Sequence, residues 1–531
     1  MNKTFKIVFN KARGALMVAN EITGSVQKKG TTLIVASAVS LLCLGTASAG
    51  DSVYGIGNIS IDGASITTDL SNIGNMTIGK DGSNVLISEN PTTHETFLLY
   101  PANSDEPNIK VVGKNITVNG SYRTIKGWSA TSGSNVKSLT LSIGNENTDS
   151  ITLTSTIDSA DSEFAEGTLL AIEDGTSVTL TAKNIGIQTV GTFGVQVGSN
   201  DENVQRAPTH AVVNLNADTI SITNNASSEG VGIGTYSNGE MNIVGDLSVS
   251  AERVMEVRGH SLTNINQNSD HTAQLKGDIA FATPHTPIDH HNSGKKIDAE
   301  VNLNLTGSSS FWTGRSYMEY GVDSGEKDEK GKTIYIPTKS IGLQGDPTYY
   351  GNVTGFNLSI SNGATWNVTG DSLVNILTLN EGGNIFVSKD ATLRVGTWDS
   401  TNSKATGNFI SVDGLGNQLV LATGATLDSK LKIASGAELI TNLDTAFTGA
   451  SVSKETLTLD SVAARLSFVD SEGGTLSISD KFTYTGTDLT TLSHVYADQV
   501  GLKLVNATLA LDDDNTTIST DVTTGAISGG K

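Results

Sequence analysis

Six stretches of the chain share one pattern that leaves few folds open. "IKVVGKNITV" (109–118), "VTLTAKNIGI" (178–187) and "VNLNADTISI" (213–222) align without gaps as apolar-x-apolar-x-[Gly/Ala]-[Lys/Asp]-x-apolar-x-apolar. "MNIVGDLSV" (241–249) and "AQLKGDIAF" (273–281) follow it with one residue fewer, and "LTLSIGNENTDSITL", from Leu139, lengthens the turn. A self-similar unit recurring about every 30 to 40 residues is the mark of a repeat architecture. Within each unit, two period-2 segments put alternate apolar residues on one face. The small residue between them lets the backbone turn a tight corner, and Asp or Asn there can bond the turn backbone.

Shorter apolar runs lie between the units, such as "FGVQV" (193–197), "EGVGIGT" (229–235) and "RVMEV" (253–257). Each repeat then holds about three strands and two or three corners, which is one coil of a parallel β-solenoid. No coil buries its apolar face alone; stacking at about 4.8 Å pairs each strand with the next. At roughly 30 residues per coil, residues 50–531 predict about 15 coils and a rod of about 70 Å. Right-handed winding is the usual hand of parallel crossovers.

Composition agrees with an all-β chain. Glycine is abundant at 57 residues and proline scarce at 8, and β-branched runs alternate with Gly, Asn, Asp and Ser turns. The expected organisation is an export leader over 1–49, a β-helix over 50–450, and a less regular β or capping region over 451–531. In that last region "DLTTLSHVYAD" (488–498) reads as a short helix with Asp488 as N-cap, and "GLKLVNATLAL" (501–511) as a strand. A solenoid needs its exposed end covered, which a capping unit would do.

The leader has two parts. Residues 31–49 hold an apolar core, Leu33 to Gly45, and then Ala47-Ser48-Ala49, an A-x-A cleavage site that predicts Gly50 as the mature N-terminus. The core is too short for a membrane-spanning helix. Cys43 is preceded by Leu42 where a lipoprotein signal needs a small residue. Residues 1–30 form an extension in front, with Met1-Asn2-Lys3, Phe5-Lys6-Ile7-Val8-Phe9-Asn10, Ala15-Leu16-Met17-Val18-Ala19 and Glu21. It resembles the extended signal peptide region of large Gram-negative secreted proteins, mostly autotransporters and two-partner-secretion exoproteins. Phe9 stands where that pattern usually has Trp. The resemblance implies inner-membrane secretion machinery as a partner, and a destination at the cell surface, outer membrane or extracellular space.

The mature chain is acidic. Without the leader's six basic residues and Glu21, 28 basic and 54 acidic residues remain, a net charge of −26. Nucleic acid and anionic lipid need a basic footprint, so neither is an expected partner. The only cysteine leaves with the leader, so no disulfide closes a loop that would obstruct passage of an unfolded chain through a pore.

A second resemblance lies farther along. Gly363-Ala364-Thr365-Trp366, Thr369-Gly370-Asp371-Ser372 and Leu377-Thr378-Leu379 look like the later β-helix coils of autotransporter passengers. "SSFWTGRS" (309–316), "SKDATLRV" (388–395) and "ATGATLDSKLKIASGAELI" (422–440) share the style. That family implies a C-terminal outer-membrane barrel as translocator. The last eighty residues lack barrel-like strands and aromatic girdles, which predicts a pore on a separate chain or a passenger without its barrel. The Asn-Pro-Asn motif usual in two-partner exoproteins is not seen; Glu106-Pro107-Asn108 is the nearest.

No reactive constellation stands out. Gly370-Asp371-Ser372 is similar to the Gly-Asp-Ser-Gly nucleophile motif of serine-protease autotransporters, but Leu373 replaces the glycine that shapes an oxyanion hole. A coil turn explains these residues. His285, Asp289, His290 and His291 are metal-ligating types but read as a solvated loop between coils. "LDDDNTT" (511–517) reads as an acidic turn without the spacing of a calcium loop, and "GVDSGEKDEKGKTIYIP" (321–337) as a charged projecting loop. Neither catalytic residues, cofactor nor metal are expected. The expected function is that of an adhesin-like passenger, presenting loops on a rigid ladder to an extracellular ligand. The alternatives are a polysaccharide-active β-helix enzyme of pectin-lyase-like fold, a two-partner exoprotein, and a truncated passenger fragment. Charged side chains converging from adjacent coils into one cleft would favour the enzyme, since fold alone does not decide.

Overall fold

The computed structural model describes residues 5–10, 15–20, most of 56–441, and separate strands at 469–471, 475–478, 508–511, 516–521 and 526–528. Its larger gaps within 56–441 are at 67–74, 100–107, 199–210, 288–298 and 342–354. The chain divides into two units, Met1–Cys43 and Leu44–Lys531. In the first, Phe5–Asn10 and Ala15–Asn20 pair antiparallel with Phe5 opposite Asn20, so this part of the leader is a hairpin. Cys43, Ala49 and Gly50 lie outside the described residues, as do the expected boundary at 450/451 and the helix expected over 488–498.

The second unit is a parallel β-helix with three faces. Its first face runs in register through Ile109, Leu141, Val178, Val213, Met241, Thr263 and Val301. From there it continues through Phe356–Ser361, Ile376–Asn380, Phe409–Asp413 and Lys430–Ile433. Its second face stacks Ile116, Ile151, Ile185, Ile220 and Leu247, then passes to Ala273. The third face stacks Ile125, Leu169, Val195, Ile233, Met255 and Ile279. The three short runs read between the repeats are strands of this third face. Alternation places every second residue inside: in Leu139–Gly144 and Ser150–Ser155 buried and half-buried positions alternate strictly. The third face departs from this, since every residue of Gly167–Ala171, Phe193–Val197 and Val231–Thr235 is buried.

The corners explain the two lengths of the repeat. In Thr176–Thr189 and Ala211–Asn224 one strand crosses the corner, and two consecutive outward residues reset which positions point inward. The shorter corner at Gly245 drops one residue, visible as a register shift opposite Asn216 to Thr219. Gly245 takes φ +150°, and a Cβ there would sit 2.2 Å from the carbonyl oxygen of Ala217. Only glycine fits the tighter path.

"AQLKGDIAF" occupies a different place from the other units. Ala273 pairs with Leu247 and Leu275 with Val249, so this stretch turns from the second face to the third, one face later than expected. The reason is that the same short corner recurs there: Gly277 has φ +131°, and its Cβ would meet the Ala251 carbonyl oxygen at 2.0 Å. A pattern used at two kinds of corner does not say which corner it makes.

Other corners are fixed by buried asparagines. Asn224 donates Nδ2 to the carbonyls of Gly191, Thr192 and Val231 at 2.9 to 3.1 Å, and accepts from the Ala226 N–H at 2.9 Å. Asn266, Asn375 and Asn417 likewise bond backbone groups across rungs. Corner peptides have no ladder partner, and leaving them buried and unpaired would be costly.

Between the faces the core is mainly aliphatic, with aromatics such as Phe97, Trp312, Phe356 and Trp366. Phe311–Gly314 lies in register under Thr365–Val368, so Trp312 and Trp366 stack in the interior. The segment expected as a charged loop is regular instead. Ser316–Lys327 and Thr333–Ser340 form an antiparallel hairpin leaving the third face, with Val322 opposite Ile336. Its alternating residues suit two paired strands despite the charges.

Both described ends of the ladder turn antiparallel. Asn58–Ile61 pairs antiparallel with Asn84–Ser88 and, through an Asp62-Gly63 turn, with Ala64–Ile66. At the other end Thr508–Leu511 pairs parallel with Thr475–Ile478 and then antiparallel with Thr516–Asp521. Such pairing blunts the template a parallel edge would offer to another chain.

Candidate functional site

Polar groups gather across rungs at several places among the described residues, such as Asn84, Asn115 and Ser150, and two of these places are extensive. The first is on the outer surface of the first face. Asn214, Asn242, Asn264, Asn302 and Asn357 stack one above another and form a chain of amide hydrogen bonds. Each Nδ2 donates to the Oδ1 of the rung before, at 3.1, 2.9, 3.0 and 2.8 Å, and Asn214 donates to Thr179 Oγ1 at 3.3 Å. Aligned amide dipoles reinforce one another along such a ladder.

The ladder ends at Asn357. In the next rung Ile376 stands opposite it and is 57 % exposed. Ile376 cannot donate, and the Asn357 Oδ1 is buried without a hydrogen-bond partner. Beside this end lies an open groove of about 430 Å³. Its floor is the first face, where Asn304, Ser359 and Thr378 form the neighbouring outward column. One wall is the turn 266–270, a longer insertion at the corner where Gly245 makes the short version. Asn266 holds it with φ +53° and bonds to the His271 and Thr272 carbonyls. Gln267 Nε2 ties it to the Asn302 carbonyl at 2.9 Å, and Asn304 Nδ2 to the Asn266 and Ser269 carbonyls.

The second place is the outer side of the third face. Arg253 lies between two carboxylates: Nη1 to Glu256 Oε2 at 2.5 Å, and Nη2 to Glu319 Oε1 at 2.9 Å. Arg258 bonds Glu256 through Nε at 2.8 Å and stacks over the Tyr236 ring at 4.6 Å, while Tyr236 donates its hydroxyl to Glu256 at 2.7 Å. Arg253, Glu256 and Glu319 are 6, 3 and 2 % exposed. Burial pushes the Glu256 carboxyl up, but Arg258, Arg253 and the tyrosine hydroxyl outweigh it and hold it below the ordinary value. Burial, then the Glu256 charge, pushes the Tyr236 hydroxyl well up. Burial likewise raises Tyr317, which Arg315 and Lys339 flank at 5.0 and 4.4 Å. Arg253, Glu256 and Arg258 share one rung and Glu319 comes from two rungs on, and each charge is occupied by another.

The residues singled out in the sequence fall elsewhere. Ser372 is fully buried; its Oγ donates to the Gly370 carbonyl at 2.8 Å and accepts from the Ser316 N–H at 3.4 Å. Asp371 accepts from the Thr392 N–H at 2.8 Å. The Gly-Asp-Ser triplet therefore makes the turn into the third face. His285 lies in the strand Ala273–Pro287, while Asp289, His290 and His291 are outside the described residues. Residues 512–515 of the acidic turn are also outside them. No group of metal-ligating side chains occurs among the described residues.

The asparagine ladder was not anticipated. Its bonds join residues 35, 28, 22, 38 and 55 positions apart, an interval too irregular to catch as a period. A local signal exists, however: Asn214, Asn242, Asn264, Asn302 and Asn357 are each followed by Leu or Ile, four of them after an apolar residue.

A leader set before a three-faced parallel β-helix defines a class, the exported β-helical protein. Comparison makes the route specific: residues 1–50 match the family model of the Extended Signal Peptide of Type V secretion system. The chain is a substrate of type V secretion, exported through the Gram-negative envelope to the surface or extracellular space. Its strand-rich parallel fold is consistent with an autotransporter passenger. No curated protein and no solved structure matches it.

Proposed function

We propose that the β-helix is an adhesin-like passenger that binds an extracellular ligand through its outer surface and carries out no catalysis. One contrast supports this reading. The charges of the Arg253 cluster are buried and spent on each other, the exposed Lys114, Asp149 and Lys183 pair with one another across rungs, and the open groove is lined mainly by amides and hydroxyls. A general acid or base must reach its substrate, and Glu256 and Glu319 are saturated by arginines. An outer-membrane translocator and the inner-membrane export machinery are its partners during secretion, and cleavage falls between Ala49 and Gly50.

The test pairs two assays on the secreted protein. Attachment of purified passenger to host or neighbouring bacterial cells is expected, without shortening of polygalacturonate or other polysaccharides. Depolymerisation that is abolished by Glu319→Gln would overturn the reading in favour of an enzyme. N-terminal sequencing of the secreted form should begin at Gly50.

A further inference from the structure

We infer that the groove at the end of the asparagine ladder is a binding site for an uncharged oligosaccharide. The inference rests on the binding role proposed above and names the ligand class. The argument begins with the inventory of groups. Asn304 spends its amide N–H groups on the turn wall, which leaves its Oδ1 as an acceptor facing the groove column. The Ser359 and Thr378 hydroxyls next in that column make no side-chain hydrogen bond, and Asp270 on the wall has no partner. The next column ends with Asn357, whose Oδ1 is buried, and the exposed Ile376.

Hydroxyls that both donate and accept, beside an amide oxygen and a carboxylate, match a ligand that presents many hydroxyls. An exposed aliphatic side chain next to them suits the C–H face of a sugar ring. The spacing is fixed by the rungs, at about 4.8 Å between neighbours, so the polar groups are held before a ligand arrives. The wall is held too, by Asn266 and Gln267. Charge selects against anionic glycans: among the described residues lining the groove Asp270 is the one charged group and none is basic, and the whole chain carries −21. One carboxylate is too little for a cation site of its own.

The test uses the full secreted passenger on an array of uncharged oligosaccharides built from glucose, galactose, mannose and fucose, with heparin and sialylated glycans alongside. Titration calorimetry of the strongest binder follows, with Ser359→Ala and Thr378→Val. Both substitutions keep the outward strand positions filled and leave the core untouched. Binding to uncharged glycans, unaffected by salt, is expected, with each variant about three- to tenfold weaker. Thr152→Val, on the outer second face, is expected to bind as the parent does. No uncharged ligand, a preference for heparin or sialylated glycans, or binding unchanged in both groove variants would overturn the inference. Cell attachment measured on the same preparations separates the two readings. Attachment that persists without glycan binding sinks only this site, whereas an intact passenger that attaches to nothing sinks the adhesin reading.

Discussion

Trp312 and Trp366 stack inside the β-helix with ring centroids 4.5 Å apart and planes 4° from parallel. Each indole also donates to a backbone carbonyl, Trp312 to Gly277 at 2.9 Å and Trp366 to Gly314 at 3.1 Å. The pair thus joins two rungs through rings and links each ring to a corner of the third face. Both side chains are fully buried. Trp366→Ala would leave a large cavity, and is expected to destabilise by about 3–5 kcal/mol. Trp366→Phe, which keeps a ring, should cost clearly less. Denaturant unfolding of the three proteins checks this; equal costs would show that the stack itself contributes little.

The buried charges on the third face give an asymmetric prediction. Arg253 is the cation shared by Glu256 and Glu319, and it ties the base of the projecting hairpin to the coil two rungs away. Arg253→Met strands the buried Glu319 carboxylate, while Glu256 keeps Arg258 and Tyr236, and should cost about 3–5 kcal/mol. Arg253→Met combined with Glu319→Leu should recover much of that loss, because a buried ion pair gives little net gain over a packed apolar pair. A double variant no more stable than the single one would contradict this account.

The same cluster contributes to the pH dependence of stability at both ends. Glu256 is held below its ordinary value of 4.5, so the unfolded chain takes up its proton first as pH falls. Its contribution is present above about pH 4.5 and is lost as pH drops through the lower folded value. Tyr236 is raised well above its ordinary value of 10.0, so above about pH 10 the unfolded chain ionises while the folded one does not. Stability should therefore fall at both ends, measurable as the midpoint of unfolding from pH 3 to pH 11. In Tyr236→Phe the alkaline fall should shrink and the acid one remain.

How far the sequence carries is visible at particular residues. Ile109, Val178, Val213 and Met241 share one face as the repeat predicts, because a corner of nearly fixed length leaves a local imprint. Asn302 meeting Asn357 across 55 residues is not legible in that way, because the intervening loop varies and leaves no period. The groove depends on that register, on the insertion 266–270, and on Ile376 breaking the ladder. Each is ordinary as sequence and becomes a site only when the rungs are stacked. The Arg253 cluster was hidden for the same reason, since Glu319 lies 66 residues away.

The two corner lengths yield the last prediction. The long corner carries Ala182 or Ala217, and the short one carries Gly245, whose φ of +150° and closeness to the Ala217 carbonyl leave no room for a Cβ. Gly245→Ala alone forces a poorly tolerated backbone conformation and should destabilise by about 1–3 kcal/mol. Lengthening the corner removes the cause. If Val244-Gly245-Asp246 is replaced by Asn-Ala-Asp-Thr, the sequence of Asn216 to Thr219 one rung below, the rung can turn without glycine. That variant should be more stable than Gly245→Ala, although both carry alanine at the corner. Thermal unfolding of both against the parent decides it: if the lengthened corner is the worse of the two, corner length is not what makes glycine necessary here.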